Sequence, residues 1–233
     1  MNSNPNIVRI KAVLDALENL QDQVVFVGGA TAALYATRPQ GEIRPTDDVD
    51  IVVELSGYSS YAELEEKLRD KGFVNDVDSG VICRYRVQGI IVDIMPTESS
   101  ILGFSNKWYK AGFTSFIKID IGDGYRVRIF TAVYFIASKL VAFFDRGEGD
   151  GRTSTDFEDI VTVFNGRPSI YKEMQEADPT VKGFLRESFL VLLQHSCIYE
   201  WISVHLDYSE QSRVEYIIGG LSDFVSTFDN EKT

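Results

Sequence analysis

The chain has 233 residues, enough to bury a substantial core, and this length fits one domain or a catalytic domain with a helical extension. Its composition is that of an ordinary globular protein, with 44% hydrophobic and 25% charged residues. The formal net charge of −12 argues against a protein whose whole surface grips nucleic acid without specificity, although it does not exclude a local basic groove.

Neither the cysteines nor the histidines are spaced like metal ligands. Cys83 and Cys197 are far apart and form no CxxC pair, so we expect reduced structural thiols in a cytosolic protein. We also interpret His195 and His205 as structural. The N-terminus lacks the features of a signal peptide, and the longest apolar run, interrupted by Lys139, is too short for a membrane span. We therefore expect a cytoplasmic protein with no membrane partner.

Hydrophobic periodicity predicts a mixture of helices and strands in the first half of the chain. Residues 7–20 have apolar side chains at helical spacing, and VVFVGG (residues 24–29) is typical of a buried strand that ends in glycines before another helix. The next elements are predicted in the order strand, helix, strand and strand, from the segments DIVVEL, YAELEEKLRDKGF, ICRYRV and IIVDIMP. The last two strands are joined by a QG turn.

The remainder of the chain is predicted to change from strand to helix. A segment typical of a loop, TESSILGFSNKWYKAGF, precedes two strands, SFIKIDIG and YRVRIF. Thr131 and Ser154 are typical N-cap residues for the helices AVYFIASKLVAFFDRG and TDFEDIVTVF, and two long helical patterns follow, one of them VKGFLRESFLVLLQHSCIYEWISVHL. We predict an α+β fold with a core at residues 1–130 and a C-terminal helical region at residues 131–233.

A tight group of acids lies at the start of the strand DIVVEL. Residues two apart in a strand project from the same face, so Asp48 and Asp50 point together while Asp47 points away. The later strand IIVDIMP carries one acid, Asp93, inside an apolar run, where an unpaired carboxylate is costly. If Asp93 lies beside the other two, the three acids form a pocket of hard oxygen ligands suited to Mg²⁺ and to phosphoryl chemistry with two metal ions.

A pair of glycines precedes the acids in sequence. Gly28 and Gly29 close a strand and open a helix, which lets the backbone come close to a phosphate group and directs amide groups at it. Metal ions would then bridge the acids and the phosphates. A GG pair and a DxD pair are each weak signals, but their order, followed by an apolar strand with one Asp, is more specific.

These motifs resemble a known superfamily. GGATAALY, TDDVDIVV and IIVDIMP are similar to the three signature elements of the DNA polymerase β-like nucleotidyltransferases: a GG or GS turn, a DxD or DxE strand, and a third acid on a neighbouring strand. ASKLVAFFDRGEGD, followed by STDFEDIVTVFNGR, resembles the branch associated with type IV toxins (AbiEii/AbiGii-like), in which a helix lysine and a later D-x-x-D helix recur. The resemblance implies a mixed sheet flanked by helices, followed by a helical region that contributes to the nucleotide pocket.

The resemblance also implies roles for individual residues. Asp48 and Asp50 would hold Mg²⁺ or Mn²⁺, and Asp93 would ligate one metal ion and accept the proton of the attacking hydroxyl group. Lys139 would contact the triphosphate of the NTP substrate. The other residues of the nucleotide pocket would be Gly28, Gly29, Thr31, Thr46, Asp156 and Asp159.

The implied activity is Mg²⁺-dependent transfer of a nucleoside monophosphate from an NTP to an acceptor, with release of pyrophosphate. The toxin-associated branch adds an RNA or tRNA acceptor and an antitoxin protein as partner. Two alternatives stay open. The negative charge suits a small cationic, aminoglycoside-like acceptor better than RNA. Ala30, at a position where many members of the superfamily have Ser, favours a nucleotide-binding protein without turnover, although three converging acids argue against it.

Overall fold

The computed structural model of the chain describes residues 4–39, 41, 43–55, 57–146 and 149–226. The chain divides into two compact units, Met1–Thr31 with Ile43–Thr131, and Ala32–Glu42 with Ala132–Thr233. The predicted domains, residues 1–130 and 131–233, stay a prediction and include residues outside the described ranges. Gly147 and Glu148, which lie in the second segment of the resemblance, are also outside these ranges.

The first unit is built on a mixed β-sheet, in which the described residues form seven strands. These are β1 (Val24–Val27), β2 (Asp48–Val53), β3 (Val74–Asn75), β4 (Arg84–Val87), β5 (Ile90–Pro96), β6 (Ile117–Asp120) and β7 (Arg126–Ile129). Their order in the sheet is β3-β4-β5-β2-β1-β7-β6. The pairs β2/β5 and β1/β7 are parallel, and the other neighbours are antiparallel.

Helices of the first unit precede the first strand or connect later ones. They are α1 (Pro5–Leu17), α2 (Tyr58–Asp70), α3 (Ser99–Leu102) and α4 (Tyr109–Thr114). The helix predicted after the two glycines is a 3₁₀ helix, Gly29–Tyr35, which begins with an i to i−3 bond from the Thr31 amide to the Gly28 carbonyl (3.1 Å). The segment predicted as a loop after Pro96 contains α3 and α4, because burial of Ile101 and Trp108 stabilises turns that lack helical periodicity in the sequence.

The central strands of the sheet bury one face and place charged residues on the other. The buried face is apolar and consists of Val49, Ile51, Val53, Tyr85, Val87, Val92 and Ile94. The opposite face carries Asp48 and Asp50 of β2, Asp93 of β5, and Arg84 and Arg86 of β4. The alternation of side chains along each strand therefore gathers five ionisable groups on one surface of the sheet.

The second unit consists of helices. They are α5 (Ala132–Asp145), α6 (Thr155–Gly166), α7 (Ile170–Gln175), α8 (Pro179–Leu193), α9 (Ile198–Ser203) and α10 (Arg213–Ser226). The single long helix predicted from Val181 onward is two helices, α8 and α9, separated by a turn at Gln194–Cys197. In this turn the His195 ring accepts a hydrogen bond from the Cys197 amide (3.2 Å), a local contact that periodicity does not reveal.

Aromatic packing stabilises the second unit. Phe143 and Phe157 contact Trp201 with ring centroids 6.0 and 5.7 Å apart. Tyr35, from the segment Ala32–Glu42, packs on Phe135 of α5 at 4.6 Å. The amide of Thr37 donates to the carbonyl of Gly166 at the end of α6 (2.9 Å), so this early segment is held by the C-terminal helices.

The α+β prediction is confirmed, with a mixed sheet flanked by helices and followed by C-terminal helices. Every helix within the described ranges is too short or too polar to cross a membrane.

Candidate active site

The parallel pairing of β2 with β5 brings the predicted acids together. Asp50 is the direct register partner of Asp93, and Asp48 projects from the same face two residues earlier. The side chain of Asp93 is only 11% exposed, whereas that of Asp48 is 37% exposed. The acids thus form a row that extends from a solvent-accessible carboxylate to a buried one.

A glycine turn borders this row on the β1 side. Val27 at the end of β1 is the register partner of Asp50, and Gly28 follows it with a φ of +70°, in the left-handed region that favours glycine. A Cβ atom at Gly28 would overlap the carboxylate of Asp50, so the close approach also requires glycine. The buried Thr31 donates its hydroxyl proton to the Gly28 carbonyl (2.9 Å) and so stabilises this turn.

The residues before β2 are fixed by side-chain hydrogen bonds. Thr46 is buried, and its hydroxyl donates to the carbonyl of Asp48 (2.9 Å). Its amide donates to Oδ1 of Asn6 (2.9 Å), and Nδ2 of the fully buried Asn6 donates to the carbonyl of Arg44 (3.0 Å). Thr46 therefore has a structural function at the start of β2, and its part in nucleotide binding stays a prediction.

A cation that the sequence analysis missed lies against the acids. Arg84 is the register partner of Asp93 in the antiparallel β4/β5 pair. Its Nε donates to Oδ1 of Asp93 (2.8 Å), and its Nη2 donates to Oδ2 of Asp93 (2.7 Å) and lies 3.4 Å from Oδ2 of Asp48. The hydrogen bonds to Asp93 raise the pKa of the Arg84 guanidinium above its usual value.

The sequence did contain a signal for Arg84. The two-residue turn at Gln88 and Gly89, both with positive φ, places Val87 opposite Ile90. Counting back along the two antiparallel strands from this turn places Arg84 opposite Asp93.

A buried thiol adjoins the same site. Cys83 precedes Arg84 and is 3% exposed. Burial raises the pKa of the Cys83 thiol to about 11, and the negative charge of Asp93 acts in the same direction. The thiol is therefore protonated at neutral pH.

The three acids have the chemistry of a site for divalent cations. Carboxylate oxygens are the ligands that Mg²⁺ and Mn²⁺ prefer, and the strand register places the acids on one face. As the side chains stand, no three carboxylate, histidine or cysteine groups of the described residues converge on a metal-sized point. Arg84 binds Asp93 through both of its oxygens. The three acids therefore fit a metal ion in residue type and backbone position, while the side chain of Asp93 is paired with a guanidinium.

In the second unit, the three predicted pocket residues of the helices form an ion cluster. Lys139 of α5 lies 2.6 Å from Oδ2 of Asp159 and 3.0 Å from Oδ1 of Asp156, both on α6. Arg146 lies 2.9 Å from the other oxygen of Asp156. Both acids are almost fully buried, and Ser154 caps α6 as predicted by accepting a hydrogen bond from the Phe157 amide (3.3 Å). The cluster thus contains two cations and two anions.

A cavity of about 330 Å³ adjoins this cluster within the second unit. Its walls include Arg146, Asp150, Thr153 and Asp156, so both signs of charge and hydroxyl groups face it. The two histidines have structural contacts: His195 stacks on Trp201 at 4.0 Å, and His205 Nε2 is hydrogen-bonded to the Gly151 carbonyl (2.6 Å).

The fold of this chain is similar to that of a protein of known structure. No family model and no curated protein matches the sequence. The chain is similar to the crystal structure of an antigenic nucleotidyltransferase-like protein from Paracoccidioides brasiliensis, with a TM-score of 0.53 and 17% identity over 90% of this chain and 97% of that chain. The solution structure of the antibiotic-resistance factor ANT(2'')-Ia matches 80% of this chain and 94% of that chain at 17% identity, with a TM-score of 0.46. The chain therefore has the fold of a nucleotidyltransferase-like protein.

Proposed function

We propose that the protein is a nucleotidyltransferase that transfers a nucleoside monophosphate from an NTP to a hydroxyl-bearing acceptor and releases pyrophosphate. The observation that carries this proposal is the register pairing of Asp50 with Asp93, with Asp48 on the same face of the sheet. The turn at Gly28 supports it because this glycine, with a φ of +70°, brings the backbone that follows β1 directly against Asp50.

In this proposal each acid has a separate task. Asp48, Asp50 and Asp93 would hold Mg²⁺ or Mn²⁺, which when bound would neutralise the charge of the triphosphate and of the leaving pyrophosphate. Asp93 accepts the proton of the attacking hydroxyl group at a carboxylate oxygen. Both oxygens of Asp93 accept hydrogen bonds from Arg84, so this role requires the guanidinium to release at least one of them.

The helical unit carries three of the residues to which the resemblance gives a role in nucleotide binding. We propose that Lys139 binds the triphosphate and that Asp156 and Asp159 orient Lys139. Gly29, Thr31 and Thr46 of the earlier motifs are proposed nucleotide contacts of the first unit. The ion pairs of Lys139 with both acids support the orienting role, because they fix a flexible side chain in one position.

For the acceptor, the resemblance to the toxin-associated branch favours an RNA such as tRNA, with an antitoxin protein as partner. The net charge of −12 favours the second candidate, a small cationic acceptor of the aminoglycoside type. A third candidate, nucleotide binding without turnover, is favoured by Arg84, whose guanidinium occupies Asp93.

The experiment is a labelling assay with matched variants. The protein is incubated with Mg²⁺ and each of the four α-labelled NTPs, alone, with total RNA, or with an aminoglycoside. We expect Asp48→Asn and Asp93→Asn to lower transfer by a factor of about 100 or more. Asp47→Asn, which removes the exposed acid next to Asp48 in the sequence, should leave transfer unchanged.

Each outcome separates the candidates. Label on RNA supports the RNA-directed enzyme, and label on the aminoglycoside supports the second candidate. NTP binding without any labelled product supports the third. Full transfer by Asp93→Asn would contradict the proposed role of this acid.

A further inference from the structure

Arg84 contacts two of the acids with a single guanidinium group. Asp50, Asp93 and Arg84 are consecutive register partners across β2, β5 and β4, so the guanidinium continues the row of acids on the same face. Arg84 binds both oxygens of Asp93, and its Nη2 also reaches Asp48. One side chain of the protein thus contacts two of the three proposed metal ligands and supplies one positive charge to them.

The ion pair between Arg84 and Asp93 is strong because it is bidentate and largely buried. A guanidinium presents two parallel N–H groups to a carboxylate, and such bidentate pairs are stronger and more directional than single contacts. Arg84 and Asp93 are both largely shielded, with side chains 23% and 11% exposed, so solvent screens their attraction only weakly. A metal ion would have to compete with a cation that is covalently attached to the neighbouring strand.

We propose that Arg84 is a positioning residue that holds Asp93 and Asp48 in the absence of metal and has to release Asp93 before a divalent cation binds; this inference rests on the proposed function. Arg84 therefore sets the affinity of the carboxylates for metal. Because Arg84 is part of β4, its guanidinium stays beside the carboxylates after it releases Asp93. It then adds a fixed positive charge to that of the bound metal ion.

The test measures metal affinity without measuring catalysis. Mn²⁺ is titrated into the protein in the absence of nucleotide, and free Mn²⁺ is followed by electron paramagnetic resonance. We expect Arg84→Met to bind Mn²⁺ at least about 10-fold more tightly than the wild type. One nearby charge changes the binding constant of an ion at a carboxylate by about this factor. Arg84→Lys should show a smaller gain, because it keeps the charge and loses the bidentate contact.

Arg86→Met is the matched control. Arg86 lies two residues further along the same face of β4, and its side chain is 53% exposed and pairs with Asp76 instead of the proposed ligands. Its removal should leave Mn²⁺ affinity within about twofold, since a mostly exposed charge that is paired with Asp76 acts weakly on the proposed ligands. Urea unfolding of each variant checks that the fold is retained, and Arg84→Lys replaces Arg84→Met if the latter does not fold.

The possible results separate the two proposals. If Arg84→Met gains no affinity over the wild type, the inference is wrong, even if the labelling assay detects transfer. If Arg84→Lys equals the wild type while Arg84→Met gains, charge alone sets the affinity and the positioning role is overturned. If both variants gain as expected and the labelling assay finds no transfer with any acceptor, the inference stands and the proposed function fails.

Discussion

Gly28 lies so close to Asp50 that a side chain at position 28 would overlap the carboxylate. The contact follows from the antiparallel pairing of β1 with β2, which places the residue before Gly28 opposite Asp50. The glycine turn and the acids are therefore one structural unit, in which the backbone of the turn limits the position of a proposed metal ligand.

This contact predicts a specific cost for Gly28→Ala. The substitution introduces strain at a φ of +70° and a clash with Asp50. Gly72→Ala is the matched control, because its φ is +83° and the added methyl group would meet open space. In urea unfolding we expect Gly72→Ala to cost about 1 to 2 kcal/mol and Gly28→Ala at least about 1 kcal/mol more. Equal costs would show that the turn does not press on Asp50.

Asn6 is expected to matter for the site although it lies outside every motif. Asn6→Ala leaves the buried amide of Thr46 without its acceptor, and we expect a loss of about 1 to 3 kcal/mol in the free energy of unfolding. Nucleotide transfer should also fall, because Thr46 fixes the backbone of Asp48. Asn4→Ala removes the N-cap of the same helix but no contact to Thr46. Equal loss of transfer in both variants would point to the helix instead.

The ion cluster of the second unit predicts that Lys139 stabilises the fold. Lys139→Met leaves two buried carboxylates without this cation, and we expect a loss of about 3 to 5 kcal/mol. Arg146→Met, which removes a mostly exposed partner of Asp156, should cost about 0 to 1 kcal/mol. The double variant Lys139→Met with Asp159→Asn should recover part of the stability, because it removes one uncompensated charge. Simple additivity of the two single costs would refute the pairing.

The raised pKa of Cys83 predicts a pH-dependent stability. A free thiol has a pKa of about 9.0, so the unfolded chain loses this proton above that pH, whereas the folded chain retains it up to a pKa of about 11. The folded state thus binds more protons in this window, so the free energy of unfolding falls as the pH rises. We expect Cys83→Ala to show a shallower fall between pH 9 and 11 than Cys197→Ala. Identical slopes would mean that the thiol is not perturbed by folding.

Much of the site was predictable because strand periodicity is simple. Side chains two apart share a face, so the common direction of Asp48 and Asp50 followed from the sequence, and the single acid of an apolar strand indicated Asp93. Their proximity was conditional, since parallel pairing of β2 with β5 depends on contacts distant in sequence. Arg84 was not predicted although the turn at Gln88 and Gly89 fixes its register, because hydrophobic periodicity gives the face of a side chain and not its partner on the next strand.

The remaining differences have local causes. The short helices α3 and α4 are stabilised by burial of a few side chains and have no periodic signal of their own. The end of α8 at Gln194 carries no glycine or proline, so the sequence offered no reason to divide the long helix. The ion pairs of Lys139 form because α5 packs on α6. The apolar sequence of α5 indicated that this helix is buried, but it did not indicate which residues Lys139 would contact.

Residues 32–42 belong to the second unit, although they lie between two segments of the first unit in the sequence. Along the chain as divided above, the backbone passes from one unit to the other three times, after Thr31, Glu42 and Thr131. A single cut after Thr131 would leave the C-terminal fragment without Tyr35, the packing partner of Phe135, and without the amide that binds the Gly166 carbonyl. The helical unit is therefore not encoded by one uninterrupted stretch of sequence, and grafting it onto another protein would require carrying both pieces.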